Sequence, residues 1–145
     1  PYSIEQGGVK PVVFLLADQG YQPYAHTIVT TRKTPHEDRD PVRKFLQATA
    51  EGWNSYLKNP APGNALIKKA NPQMEDELMV FGLRKMQEFR LVTGGDASTQ
   101  GILTMTDARW KQTFDFMVKA GLLKAGVDYR KAYSLDYVRD VKVLP

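Results

Sequence analysis

The 145-residue chain contains no cysteine. That excludes disulfides, thiolate metal sites and cysteine nucleophiles, although it leaves the redox compartment open. Histidine is scarce as well: His26 and His36 lack metal-ligand spacing and have no cysteine beside them, so no metal site and no cofactor are expected. No apolar run approaches the ~20 residues of a membrane-spanning helix. No secretory signal or lipid-anchor motif is readable, and the first residue is Pro1 rather than Met, so a processed or truncated chain is expected. There is no internal repeat and no low-complexity tract.

What is present fits one ordinary globular domain: 42% hydrophobic and 25% charged residues, with a net charge of +4. The basic residues do not gather with aromatics on one face. Even the densest basic stretch, residues 32–44, is interrupted by Glu37, Asp38 and Asp40, so no nucleic-acid partner is expected.

Residues 12–17 form a short continuous apolar run, Val-Val-Phe-Leu-Leu-Ala, and read as a strand buried on both faces. An aromatic turn follows at Tyr21, Gln22, Pro23 and Tyr24. The β-branched residues 27–31 read as a second strand. Beyond them the pattern is helical. Asp40 and Pro41 open a helix whose apolar face is Val42, Phe45, Leu46, Thr49, Trp53, Tyr56 and Leu57. A short helix is expected over residues 64–70 and a third over about 75–89, with Leu78, Met79, Gly82, Leu83, Met86 and Phe89 inward. Glu75, Asp76 and Glu77 suit its first turn electrostatically and are not read as a metal cluster. Residues 93–99 read as a loop. Thr106 or Asp107 then caps a helix that carries Trp110, Phe114, Met117 and Val118 inward and ends at Gly121. A last short helix is expected over residues 135–140.

This reading gives an α/β chain, helix-rich, with about two strands. A strand buried on both faces needs neighbours on both edges, or its backbone groups stay unpaired. Two strands do not supply them, which points to a sheet completed by polypeptide outside this chain or by a partner.

The order of motifs is specific. Pro1-Tyr2 precedes Leu16-Ala17-Asp18-Gln19-Gly20-Tyr21 and Thr27-Ile28-Val29-Thr30-Thr31-Arg32. Pro41-Val42-Arg43-Lys44-Phe45-Leu46-Gln47-Ala48 and Gly52-Trp53-Asn54-Ser55-Tyr56-Leu57 follow. Asn71-Pro72, Gly101-Ile102-Leu103-Thr104-Met105-Thr106-Asp107-Ala108-Arg109-Trp110 and Phe116-Met117-Val118-Lys119-Ala120-Gly121-Leu122 complete the series. The ensemble resembles the C-terminal half of the nitrate/sulfonate/taurine and thiamine-pyrimidine group of ABC solute-binding proteins. The resemblance implies the C-terminal half of a two-lobed, type II periplasmic-binding fold. Residues 1–24 would then end the second lobe and form the return hinge, and residues 25–145 would form the C-terminal part of the first lobe.

The same resemblance implies a non-catalytic protein that takes a small-molecule solute in an interlobe cleft and delivers it to the permease and ATPase subunits of a bacterial importer. Its location would be periplasmic or extracellular, with a membrane anchor as one option. At the interlobe crossing the ligand-binding candidates are Asp18, Tyr21 and Tyr24, with Tyr2 beside the same seam. A carboxylate accepts from an amino group on a heteroaromatic ring, and tyrosines stack on flat rings while offering a hydroxyl. The tyrosine pair favours a flat ring such as a pyrimidine. Relatives also carry nitrate, sulfonates, taurine and flavins. The alternatives in other classes are a pyrimidine synthase-type enzyme and a ligand-sensing regulatory domain on the same fold.

Overall fold

A computed structural model describes residues 1–31 and 39–145. His36 and most of the basic stretch lie outside the described residues. Among the described residues all regular structure is helical. Helix α1 (Tyr2–Gln6) is followed by a 3-10 turn at Leu16–Gln19, then α2 (Asp40–Lys58) and α3 (Ala61–Ala70). Next come α4 (Asp76–Glu88), the single turn α5 (Ala97–Gln100), α6 (Asp107–Lys119) and a second 3-10 turn at Tyr129–Ala132.

The two expected strands are not formed among the described residues. Leu15 has extended dihedrals, but among the described residues no backbone hydrogen bond is made by residues 10–14. Phe14 is 84% exposed and Val29 86%. A strand is held by its neighbours, so an apolar run without them stays unpaired whatever its propensity.

The helices follow their sequence signals more closely. Pro41 occupies the first turn of α2, where a missing N–H costs nothing. Asp40 is the first helical residue rather than the cap, and it pairs with Arg43 at 2.9 Å and Lys44 at 2.8 Å. The buried stripe of α2 is narrower than the sequence implies. Leu46 and Ala50 are buried, Val42 and Trp53 pack on them, and Phe45 faces outward. Helix α3 starts at Ala61, three residues earlier than expected, because prolines 60 and 62 fit a helix entry and Asn59 Oδ1 accepts from Ala61 N. The close α2–α3 corner requires glycine at 63: a Cβ there would lie 2.6 Å from the Tyr56 ring.

Residues 135–140 form consecutive turns instead of a helix. Val138 and Arg139 donate to Leu135 O, after which the chain straightens and carries Val141 into the core. The core joins Leu46, Ala50, Ile102 and Val141, with Val92, Tyr137, Val138 and Val143 around them. Ile102 N donates to Val143 O at 2.8 Å, so the C-terminal segment lies directly against residues 101–102. That approach explains Gly101, whose φ is +105° and whose added Cβ would sit 3.3 Å from Val141 O, Val143 N and Val143 O.

This core is small for the chain. A compact monomer of 16.4 kDa exposes roughly 7,500 Å² by the usual size scaling. The chain exposes 10724 Å². The excess includes the two apolar runs, where Val12, Phe14, Leu16, Ile28 and Val29 all face solvent.

Two substitutions test this core by urea denaturation. Ile102→Ala removes the most completely enclosed large side chain and is expected to cost about 2–5 kcal/mol. Gly101→Ala is expected to destabilise as well, through both its positive φ and the crowded carbonyls. Wild-type midpoints in both variants would show that the C-terminal segment does not pack as described.

Candidate functional site

The chemistry-bearing residues converge on the first turn of α6. Thr106 caps this helix, its Oγ1 accepting from Arg109 N at 3.4 Å, as the sequence anticipates for a threonine before an apolar periodic stretch. The capping turn binds two distant segments, one on each side.

On one side lies the connector, residues 20–24. The Tyr24 hydroxyl donates to Asp96 Oδ2 at 3.1 Å and accepts from Thr106 N at 2.8 Å. Thr106 Oγ1 donates to the same Asp96 oxygen at 3.1 Å. Burial raises the Tyr24 hydroxyl above its usual range; donation from Thr106 opposes this and the negative charge of Asp96 adds to it. The Arg109 guanidinium lies 4.3 Å from the Tyr24 ring centroid and donates to Gln22 O at 2.7 Å and Pro23 O at 3.1 Å. Tyr21 packs on Phe116, with ring centroids 4.5 Å apart.

On the other side lies the C-terminal segment. The Asp107 carboxylate accepts from Tyr129 at 3.2 Å and from Tyr133, and Arg130 Nε lies 3.3 Å away. Tyr133 stacks on Trp110 with the rings 3° from parallel and 4.8 Å apart, and Tyr129 stacks on Phe114 at 5.2 Å. Trp110 also meets the Tyr24 ring at 5.8 Å, so one indole joins the connector to the C-terminal segment. Its Nε1 is buried with no hydrogen-bond partner.

The four residues chosen from sequence separate into two groups. Tyr21 and Tyr24 are each half-buried against α6. Asp18 sits just upstream in the exposed 3-10 turn that leads into them. Tyr2, in α1, packs against α4, its ring 5.4 Å from Phe81 and its hydroxyl donating to Glu75 at 3.1 Å. Glu5 on the same short helix faces Arg84 at 3.6 Å. Sequence reasoning missed Arg109, Asp96 and Asp107. Their partners lie 10 to 87 residues away, at no spacing that a sequence pattern marks. Asp96 stood in an apparent connector loop and Trp110 read as ordinary core. Among the described residues no group of His, Asp and Glu is arranged to hold a metal ion, and no helix is long and apolar enough to cross a membrane.

Comparison with known proteins gives these contacts a context. The family model described as NMT1/THI5 like matches residues 1–62. A riboflavin-binding protein, RibY of Chloroflexus aurantiacus, is 28% identical over 139 residues, which is 95% of this chain. The chain spans 39% of the length of that relative. No solved structure matches the chain. The chain is thus similar to the NMT1/THI5-like family over residues 1–62 and to a riboflavin-binding protein over most of its length.

The Asp107 cluster predicts a pH signature. Hydrogen bonding by Tyr133 is the largest cause holding Asp107 below the ordinary carboxylate value of 3.8; desolvation opposes it, and Tyr129 and Arg130 reinforce it. A depressed acid contributes stability that is complete above pH 3.8 and is lost as pH falls below it. Tyr133 moves the other way, pushed from 10.0 to about 12 by desolvation and then by the Asp107 carboxylate. Its contribution is complete below pH 10.0 and is lost as pH rises towards 12. Tyrosinate absorbance at 295 nm should therefore show a late-ionising phenol that Tyr133→Phe removes. An unchanged titration curve in that variant would contradict the cluster.

Proposed function

We propose that this chain is the C-terminal part of a two-lobed solute-binding protein that takes a flat heteroaromatic solute in an interlobe cleft and presents it to an ABC importer. In this reading residues 1–24 end the second lobe and form the return hinge, and residues 25–145 belong to the first lobe. The two exposed apolar runs are strands of an α/β sheet whose remaining strands lie in polypeptide outside this chain. The protein works outside the cytoplasmic membrane, with permease and ATPase subunits as its partners, and performs no chemistry on its cargo.

The observation that carries the reading is the surface the chain leaves uncovered. Residues 12–16 and 28–29 are as apolar as an interior strand, yet Phe14 and Val29 are more than four-fifths exposed. An excess of this size is covered in the working protein by further chain or a partner. The relative's length, of which this chain spans 39%, leaves room for such chain. At the place where the runs meet the packed helices, Tyr21 and Tyr24 present rings and Asp18 an exposed carboxylate. Rings and a carboxylate suit a flat ring bearing N–H donors, whereas a small oxyanion needs convergent Arg or backbone N–H groups. The relative's riboflavin binding makes a flavin the first such ring to test.

The test is titration of the intact protein with riboflavin, followed by quenching of flavin fluorescence. Saturable binding without turnover is expected, and Asp18→Ala or Tyr21→Ala should each weaken it about tenfold, the equivalent of one stacked or hydrogen-bonded contact. Unchanged affinity in both variants removes the site assignment. Binding of nitrate or an alkanesulfonate in place of riboflavin and pyrimidines would overturn the flat-ring reading.

A further inference from the structure

Five consecutive residues of the connector are each held by α6 or by the residues leading into it. Gly20 O accepts from Gln112 Nε2 at 3.3 Å, and the Tyr21 ring rests on Phe116. Gln22 O and Pro23 O share the Arg109 guanidinium, at 2.7 and 3.1 Å. Tyr24 lies under that guanidinium with its hydroxyl between Asp96 and Thr106. The preceding 3-10 turn is tied into the same unit: Tyr21 N donates to Leu16 O at 3.2 Å, and Gln22 Nε2 donates to Ala17 O at 3.2 Å. Residues 10–14 are different. Among the described residues none of them makes a backbone hydrogen bond, and Val12, Val13 and Phe14 are exposed.

A connector with this distribution of contacts does not bend at its aromatic end. We propose that Arg109 is a positioning residue that clamps residues 20–24 to α6, so that Tyr21 and Tyr24 travel with α6. This rests on the two-lobed solute-binding reading and takes the bend of its return hinge away from the two tyrosines.

Three features make Arg109 the fixing element. It has no carboxylate partner among the described residues, so its charge is directed at two successive main-chain carbonyls. A planar fork bridges two carbonyls in fixed geometry, whereas a lysine ammonium is a single point charge. The same guanidinium covers the Tyr24 ring, joining backbone and side-chain restraint in one group. A connector clamped in this way presents its rings to a ligand already ordered, so binding does not have to meet the cost of ordering them.

The absence of native cysteine in this chain allows site-directed spin labelling. Labels at Gln19→Cys and Lys119→Cys, placed in the intact protein, report the connector against α6. Without ligand, a single narrow distance distribution is expected in the wild-type background and a broad one in Arg109→Gln. Arg109→Lys, which keeps the charge but not the two-carbonyl bridge, should broaden it as well. A broad distribution in the wild type, or one equally narrow in both variants, overturns the clamp. Riboflavin titration supplies the second arm: both variants should bind about tenfold more weakly than wild type. Equal affinity in wild type and variants overturns the positioning role. Absence of riboflavin binding in the wild type would count against the flavin reading alone, since the unliganded distance distributions still decide the clamp.

Discussion

One turn of helix, residues 106–110, ties together segments more than 80 residues apart in sequence. Thr106 N meets the hydroxyl of Tyr24, 82 residues earlier, and Asp107 collects Tyr129, Arg130 and Tyr133 from the C-terminal side. Arg109 fixes two carbonyls of the connector, and Trp110 touches a ring from each segment. Among the described residues the buried apolar core is small, Leu46, Ala50, Ile102, Val141 and Met79, so polar contacts and ring packing at this turn carry much of the long-range order. Charged hydrogen bonds are individually stronger than neutral ones, and a network of them fixes geometry where burial does not. The unpartnered Trp110 Nε1 is the one buried side-chain polar atom among the described residues that this network leaves without a bond.

Local signals were legible in the sequence. The proline in the first turn of α2, the threonine cap of α6 and the glycine with φ +72° just beyond its end are all decided within a few residues. The errors in the helices were also local. The helix expected from residue 64 begins at Ala61, with prolines 60 and 62 at its entry, and the helix expected over residues 135–140 is replaced by turns that lead Val141 into the core. The strands failed for a different reason. Residues 12–17 have the composition of an interior strand, but strand formation is a property of pairs, and the described residues contain no partner for them.

The site was legible only in part. Tyr21 and Tyr24 were visible as an aromatic pair at a turn, and the structure packs each of them on α6, Tyr21 against Phe116 and Tyr24 against Arg109. Arg109 carried no such mark. It shares its helix with Lys111 and Lys119, basic residues that read as a solvated face, and its partners are carbonyls, which every residue possesses. A guanidinium aimed at main-chain oxygens therefore leaves no compositional trace at either end of the contact. Tyr2 shows the converse. It was named for its nearness in sequence to the seam, and its hydroxyl engages the acidic start of α4.

The two halves of the N-terminal stretch draw on different interactions for their order. Residues 20–24 are fixed by side chains of α6 and the turn before it: Gly20 O meets Gln112, Gln22 O and Pro23 O meet Arg109, and the Tyr24 hydroxyl lies between Asp96 and Thr106. Residues 10–14 make no backbone hydrogen bond among the described residues, and valine, valine and phenylalanine offer no side-chain hydrogen bond in its place. Strand pairing is the interaction that would order them, and it is a property of two segments rather than of one. A contact made by a guanidinium to main-chain carbonyls needs no such partner strand, so the aromatic end of the connector is ordered where the apolar run beside it is not.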